Sequence, residues 1–257
     1  MKITVIGSSG LIGSHLTRQL RVRGHDVVAA APGTGVDTVA GTGLSDAVAG
    51  ADVVVDVTDA PSFGDAAVMD FFQTSGRNLL AAELAARVRH HVALSVVGAD
   101  HMPASGYMRA KAAQEQLVGY GLVPYTIVRC TQFFEFLNSI ACVSSRDSGT
   151  IRLSPVLMQP IAAQDTATIL ADIAEGEPRG GHLDIAGPER LRQDELVRRL
   201  LVAQHDPRAV VADPTTYYFG AAVDDTTLVP PRPWQLGSTH FTDWLTGRGP
   251  AIRARRR

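Results

Sequence analysis

Lysine is nearly missing from this chain: of its 24 Lys+Arg residues, only Lys2 and Lys111 are lysine. Cysteine is as scarce, with Cys130 and Cys142 alone and no CxxC pair. That excludes a disulfide framework and leaves two ordinary thiols, as expected of a cytoplasmic protein. No stretch is long and apolar enough to span a bilayer, and the apolar run ending at Gly7 is too short for a signal peptide core. Neither charge sign dominates. A formal net charge of -2 gives no bulk electrostatic reason to expect a nucleic-acid or membrane partner. The one basic cluster, Arg253 to Arg257, reads as a solvated tail.

The chain of 257 residues is 45% hydrophobic and 19% charged, which suits one large core or a domain with a small lobe. The first half alternates strand-like and helix-like segments. Strands are expected at 2–6, 26–31, 52–57, 91–97 and 124–129, and helices at 10–23, 44–49, 66–89 and 107–119. This rhythm predicts a doubly wound α/β Rossmann fold, a parallel sheet with helices on both faces. The second half is less regular. Helices are expected at 132–145, at 166–175 with Asp165 as N-cap, at 193–204 and at 240–245. An edge strand at 150–153 and a returning strand at 181–185 complete the reading. Residues 1–139, with roughly 155–187, would form the nucleotide-binding domain. Roughly 140–154 and 188–257 would form a smaller C-terminal substrate lobe.

Gly7-Ser8-Ser9-Gly10-Leu11-Ile12-Gly13 follows the first strand and opens the first helix, the context a dinucleotide fingerprint requires. Gly7 allows the tight turn, Gly10 lets amides approach a pyrophosphate at the helix start, and Gly13 permits close packing of helix on strand. The second strand ends in Ala30, Ala31 and Pro32, with neither the carboxylate that selects NAD nor the arginine that accepts the NADP phosphate. With no carboxylate to repel a 2′-phosphate, NADP is favoured and NAD is kept; Ser8, Ser9 and Thr34 could supply neutral donors.

Lys111 stands four residues after Tyr107, so both project from one face of a helix. The ammonium could lower the phenol's pKa and make it a proton donor near neutral pH. Ser95, near the end of a strand, lies where ligands bind in such sheets. Tyr107 is thus expected to donate a proton to a carbonyl oxygen, Ser95 to orient that oxygen, and Lys111 to tune Tyr107 and hold the nicotinamide ribose.

The glycine turn, Leu94-Ser-Val-Val-Gly98 and Tyr107-Met-Arg-Ala-Lys111 resemble the atypical short-chain dehydrogenase/reductase superfamily in its NmrA-like branch. The stretches 123–129, 132–136 and 160–165 extend the resemblance over roughly residues 1 to 190. It implies an NAD(P)-binding Rossmann fold with a cleft partly built by the C-terminal lobe. It also implies that Thr58 lies beside the cofactor, and that Cys130, Thr131, Gln132 and Phe133 lie beside the nicotinamide. Some relatives bind cofactor as sensors and lack the Tyr or Ser; this chain has both.

Phe133, Phe134, Phe136 and Tyr217 are candidates to line an apolar or aromatic substrate pocket, or to be core. Glu135 among them is either a surface residue or a substrate contact. His90 and His91 sit at the amino end of a strand, so no metal is expected there. His101 could reach substrate from its loop. The first reading is an NAD(P)H-dependent reductase of a carbonyl, quinone or enone on an apolar small molecule. A non-catalytic NAD(P)-binding sensor, and a dehydratase, isomerase or cyclase on the same scaffold, stay open.

Overall fold

The computed structural model describes residues 1–147 and 149–247, and the basic tail at Arg253 to Arg257 lies outside the described residues. The first half runs β1 (Lys2–Ile6), α1 (Leu11–Val22), β2 (Asp26–Ala30), α2 (Leu44–Val48), β3 (Val53–Asp56), α3 (Asp65–Ala86), β4 (His90–Val96), α4 (Gly106–Gly119) and β5 (Tyr125–Cys130). The second half runs α5 (Leu137–Val143), β6 (Ser145–Asp147), β7 (Thr150–Leu153), β8 (Leu157–Met158), α6 (Ala163–Glu175), β9 (Gly181–Ala186), β10 (Leu191–Arg192), α7 (Gln193–Ala203), β11 (Ala209–Ala212), β12 (Gln235–Leu236) and α8 (Phe241–Leu245).

Local chemistry accounts for the boundaries. Gly10, in extended backbone, starts α1, and Ile12, Leu16 and Leu20 form its buried stripe. Gly24 at φ 83° stops the chain from continuing as helix. All four residues of β3 are buried, as a strand covered on both faces requires.

Seven strands form one parallel sheet in the order β12-β9-β5-β4-β3-β1-β2. α1 and α6 pack together on one face over Ile3, Val5, Val55 and Val92. α2, α3 and α4 cover the other face, over Ile6, Val54 and Ala93. The strand order reverses between β1 and β3, so a crevice opens at their carboxyl ends, the usual ligand position in open α/β sheets. Around it a second core gathers α5, α7, α8 and β7, with Leu137, Ile151, Leu196, Leu200 and Trp244 among its buried residues.

The second half departs from the expectations where side chains find distant partners. β7 is the central strand of a separate three-stranded sheet, between β11 and β6, rather than an edge. The segment expected as a helix from residue 132 begins with a 3₁₀ turn at Phe134–Phe136, and α5 starts only at Leu137. α6 begins at Ala163, with Ala162 as its N-cap. Asp165 instead accepts from the Thr239 amide at 2.7 Å and the Thr239 hydroxyl at 3.0 Å, tying the chain before α8 to α6.

Candidate active site

Three loops leave the carboxyl edge of the sheet: the glycine turn after β1, residues 57–60 after β3, and residues 131–133 after β5. The glycine turn is built as its spacing predicts. Gly7 has φ 82°, and a Cβ there would stand 2.8 Å from the Val57 carbonyl oxygen. A Cβ on Gly13 would stand 2.2 Å from the Gly7 oxygen, so the helix can approach the turn only with glycine at this position. A Cβ on Gly10 would stand 3.3 Å from the Gly7 oxygen, a tight contact but less severe than at Gly7 or Gly13. α1 starts without a side-chain cap and without an acid in its first turn. Its first N–H groups and positive dipole end are therefore available to an anion, with Leu11, Ile12 and Gly13 in the first turn beside Ser8 and Ser9.

Gln132 supplies a second test of fit. It is 6% exposed, and neither its side-chain oxygen nor its nitrogen has a partner among the described residues. Its backbone is pinned, since its carbonyl accepts from the Ile161 amide at 2.9 Å. A buried amide with donor and acceptor both unmet is costly. A ligand presenting a carboxamide, as nicotinamide does, would satisfy both. The glycine turn and Gln132 thus fit the pyrophosphate and the nicotinamide carboxamide of a dinucleotide.

At the adenosine end the chain is empty of cations, with no Lys or Arg from residue 24 to residue 76. Ala31 is buried, and its amide donates to the Thr34 hydroxyl at 2.9 Å. Thr34 also reaches back to the Ala29 and Ala31 carbonyls, so its hydroxyl is spent within its own turn. Thr58 is likewise held locally, its amide and hydroxyl both donating to Asp56 Oδ1, at 3.0 and 2.7 Å.

Tyr107 and Lys111 lie at the start of α4, one turn apart. The Tyr107 hydroxyl donates to Asp59 Oδ1 at 3.2 Å. Lys111 is 3% exposed; its ammonium donates to the Leu94 carbonyl at 2.8 Å and to Gln114 Oε1, and sits 4.4 Å from the Phe72 ring centroid. Gln114 in turn donates to Asp56 Oδ2 at 2.9 Å. A buried chain therefore runs Lys111–Gln114–Asp56–Thr58 beneath the site. Burial lowers the Lys111 pKa, against the pull of Asp56, Asp59 and Glu115. The expected lowering of the Tyr107 pKa is not what this geometry gives. Burial, then the Asp59 carboxylate and Tyr218, raise it well above the usual phenol value. No hydrogen bond joins Tyr107 to Lys111 among the described residues, because the ammonium turns inward to Leu94 and Gln114.

Ser95 corrects the sequence reading more sharply. Its hydroxyl donates to Glu115 Oε1 at 2.6 Å, and Glu115 is clamped by both the Nε and an Nη of Arg129, which also reaches Asp100 at 3.0 Å. Ser95 and Arg129 are cross-strand neighbours, so both face α4. Successive strand residues face opposite sides. It is Val96, not Ser95, that packs with the apolar cluster touching Tyr107. Ser95 is a brace for an ion pair under α4. Ser95→Ala is expected to leave kcat unchanged and to cost about 1.5–3 kcal/mol of stability, the worth of a hydrogen bond to a charged group. Urea unfolding and steady-state kinetics on the same preparation check both halves.

The pocket candidates separate in the same way. Phe134 is core, its ring tilted against Phe241 at 5.2 Å and against Trp244 at 5.3 Å. Tyr217 is 67% exposed, and its neighbours Tyr218 and Phe219 carry the aromatic contacts instead. Phe133 packs toward the α1/α6 core. Phe136 meets Phe219. Glu135 is half-buried and accepts from the Ala163 amide and Trp244 Nε1, both at 3.2 Å, fastening α8 to the start of α6. Cys130 is buried, which pushes its thiol up to about 12 and makes it inert. His101 is an exposed loop residue 3.8 Å from Asp100. The participants missed from sequence are Asp56, Asp59, Gln114 and Glu115. Asp56 had a signal, as the charge that follows the apolar run Val53-Val-Val55, and Gln114 and Glu115 follow Lys111 at i+3 and i+4.

No family model and no curated protein matches the chain. Its fold is shared with solved structures. One is a short-chain dehydrogenase/reductase superfamily protein from Agrobacterium tumefaciens with bound NAD, at 23% identity and TM-score 0.64 over 82% of this chain and 85% of that one. Another is the dTDP-glucose 4,6-dehydratase DesIV from Streptomyces venezuelae with NAD bound, at 19% identity and TM-score 0.70 over 95% and 94%. A third is an NADPH-dependent quinone oxidoreductase from Escherichia coli, at 15% identity and TM-score 0.65 over 96% and 99%. These likenesses show the fold, a Rossmann-type α/β sheet shared with NAD- and NADPH-dependent proteins. Among the described residues, no helix is long and apolar enough to cross a membrane.

Proposed function

We propose that this protein is an oxidoreductase that uses NADP(H) or NAD(H) to reduce a carbonyl, quinone or enone oxygen of an apolar small molecule. The observation that carries this reading is Tyr107. Its phenol is neutral, stands at the start of α4, and is surrounded by the Phe63 ring at 5.9 Å and the Phe72 ring at 6.1 Å. When bound, the nicotinamide supplies hydride. Tyr107 Oη then gives its proton to the substrate oxygen as negative charge develops there. The phenolate left beside Asp59 is unfavourable and is reprotonated from solvent at the half-buried mouth. The raised pKa thus favours reduction over alcohol oxidation, which would need the phenolate as base. Lys111, held by Leu94 and Gln114, keeps one positive charge under the site and has one donor left for a ribose hydroxyl.

A dinucleotide on the glycine turn, with its carboxamide on Gln132, is the cofactor geometry that the unmet groups support. The quinone oxidoreductase among the structural neighbours, similar in extent, supports a quinone or related acceptor. The sugar-nucleotide dehydratase supports the scaffold's wider chemistry, but the rings about Tyr107 suit an apolar substrate better than a sugar. The test is titration of the purified protein with NADPH and with NADH, followed by nicotinamide fluorescence, then a screen of carbonyl and quinone acceptors. Binding with turnover upholds the reading. Binding without turnover of any acceptor would point to a sensor, and failure of both dinucleotides to bind would overturn the proposal.

A further inference from the structure

The chain from Tyr218 to Ala221 makes a two-residue hairpin, with the Tyr218 amide on the Ala221 carbonyl at 2.8 Å and the reverse bond at 3.0 Å. Both central residues have positive φ, Phe219 at 46° and Gly220 at 84°. That is the pattern of a type I′ turn, whose first central position is ordinarily Asn, Asp or Gly. A bulky aromatic there is a backbone outlier. Strain of this kind persists only where the surroundings enforce it, and it concentrates at ligand sites.

The strain has a visible result. It lays the Phe219 ring on Phe136, centroids 5.7 Å apart and planes 27° from parallel, while the Tyr218 ring meets Phe219 edge-on at 4.8 Å. Phe219 is nevertheless 36% exposed. Tyr218 belongs to the apolar cluster against which both Phe136 and Tyr107 pack. It lies close enough to Tyr107 for the two phenols to interact electrostatically. Tyr218 therefore links the stacked pair to the cluster that packs against Tyr107, whose ring also meets the exposed Phe63 at 5.9 Å.

We propose that the Phe136–Phe219 stack is the surface that recognises the substrate, and that it selects a flat conjugated ring carrying the reducible oxygen. This rests on the proposed reductase reading and names its substrate class. A planar π-face gains from offset stacking on an aromatic side chain, and a saturated ring of the same size gains only by burial. Aliphatic side chains would bury either ring equally well and need no strained turn.

The experiment measures equilibrium binding of naphthaldehyde and of its ring-saturated counterpart, decahydronaphthaldehyde, to the full chain loaded with oxidised dinucleotide, so no turnover is needed. The wild type is expected to prefer the flat probe by about threefold to tenfold, the worth of one stacking contact. Phe219→Leu keeps apolar bulk and should collapse that preference without moving the affinity for dinucleotide. Phe219→Tyr should restore it. If the Leu variant does not fold, Phe136→Leu removes the other ring and reads the same ratio. Equal binding of both probes by the wild type, or an unchanged ratio in the Leu variant, overturns the proposal. Failure of the reductase reading shows separately, as binding of the flat probe with no reduction when NADPH or NADH is supplied.

Discussion

Tyr107→Phe is expected to lower kcat by about 10²–10⁴-fold, the usual contribution of a positioned general acid, while leaving dinucleotide affinity unchanged. The substitution removes one oxygen. That oxygen's only hydrogen bond among the described residues goes to Asp59, and Phe63 and Phe72 hold the ring on its edges. The ring should stay in place, so loss of activity would report the proton and not the packing. Because burial and Asp59 raise the phenol's pKa, the wild type should show no loss of reductase activity from Tyr107 ionisation across the neutral range. Asp59→Asn provides the internal control. It removes one cause of the raised pKa, so any alkaline limb assigned to Tyr107 should move to lower pH. Steady-state kinetics against pH for the three proteins would check this. A Phe variant with unchanged kcat would remove Tyr107 from the chemistry.

The fold was legible where a single strand or helix carries its own signal. The boundaries of β1, α1 and α4 follow from β-branched runs, from glycines with positive φ or extended backbone, and from apolar spacing within one segment. The glycine turn was legible for the same reason, since Gly7 and Gly13 act on each other across six residues. The candidate site was only half legible. Tyr107 and Lys111 share a helix face by arithmetic, but where each polar group turns depends on partners far along the chain. The Tyr107 acceptor is Asp59, and the Lys111 relay runs through Gln114 to Asp56. Ser95 shows the limit most plainly. A strand reverses its facing at every residue, so placing β4 correctly to within one residue still leaves open which of Ser95 and Val96 meets the cleft. The partners that settle it, Glu115 and Arg129, lie on other elements. Phe134 and Phe136 likewise differ by two positions in a short 3₁₀ turn, and distant packing sends one to the core against α8 and the other against Phe219.

Glu83→Ala is expected to cost about 3–5 kcal/mol, the cost of stranding one partner of a buried ion pair, and so roughly 10 °C in Tm. Glu83 on α3 and His91 on β4 are both buried, joined at 2.8 and 2.9 Å through His91 Nδ1. Asp56 lies near enough to act on both. Burial raises the Glu83 pKa above its ordinary 4.5. Burial alone would lower that of His91, but Glu83 reverses this and the imidazole ends above its ordinary 6.5. Both shifts have the same sign for stability. The folded state binds more protons than the unfolded one, so the pair's contribution is full below the ordinary values and declines as pH rises through the folded ones. In the neutral range His91 sets the window, which opens at 6.5 and extends upward. Urea unfolding at a series of pH values should therefore show the gap between wild type and Glu83→Ala narrowing above neutrality. The double exchange Glu83→Leu with His91→Leu should restore most of the stability and flatten the pH dependence, because well-packed apolar groups replace a buried pair without a desolvation cost. A double variant less stable than Glu83→Ala alone would show that the pair is held by shape rather than by its shared proton.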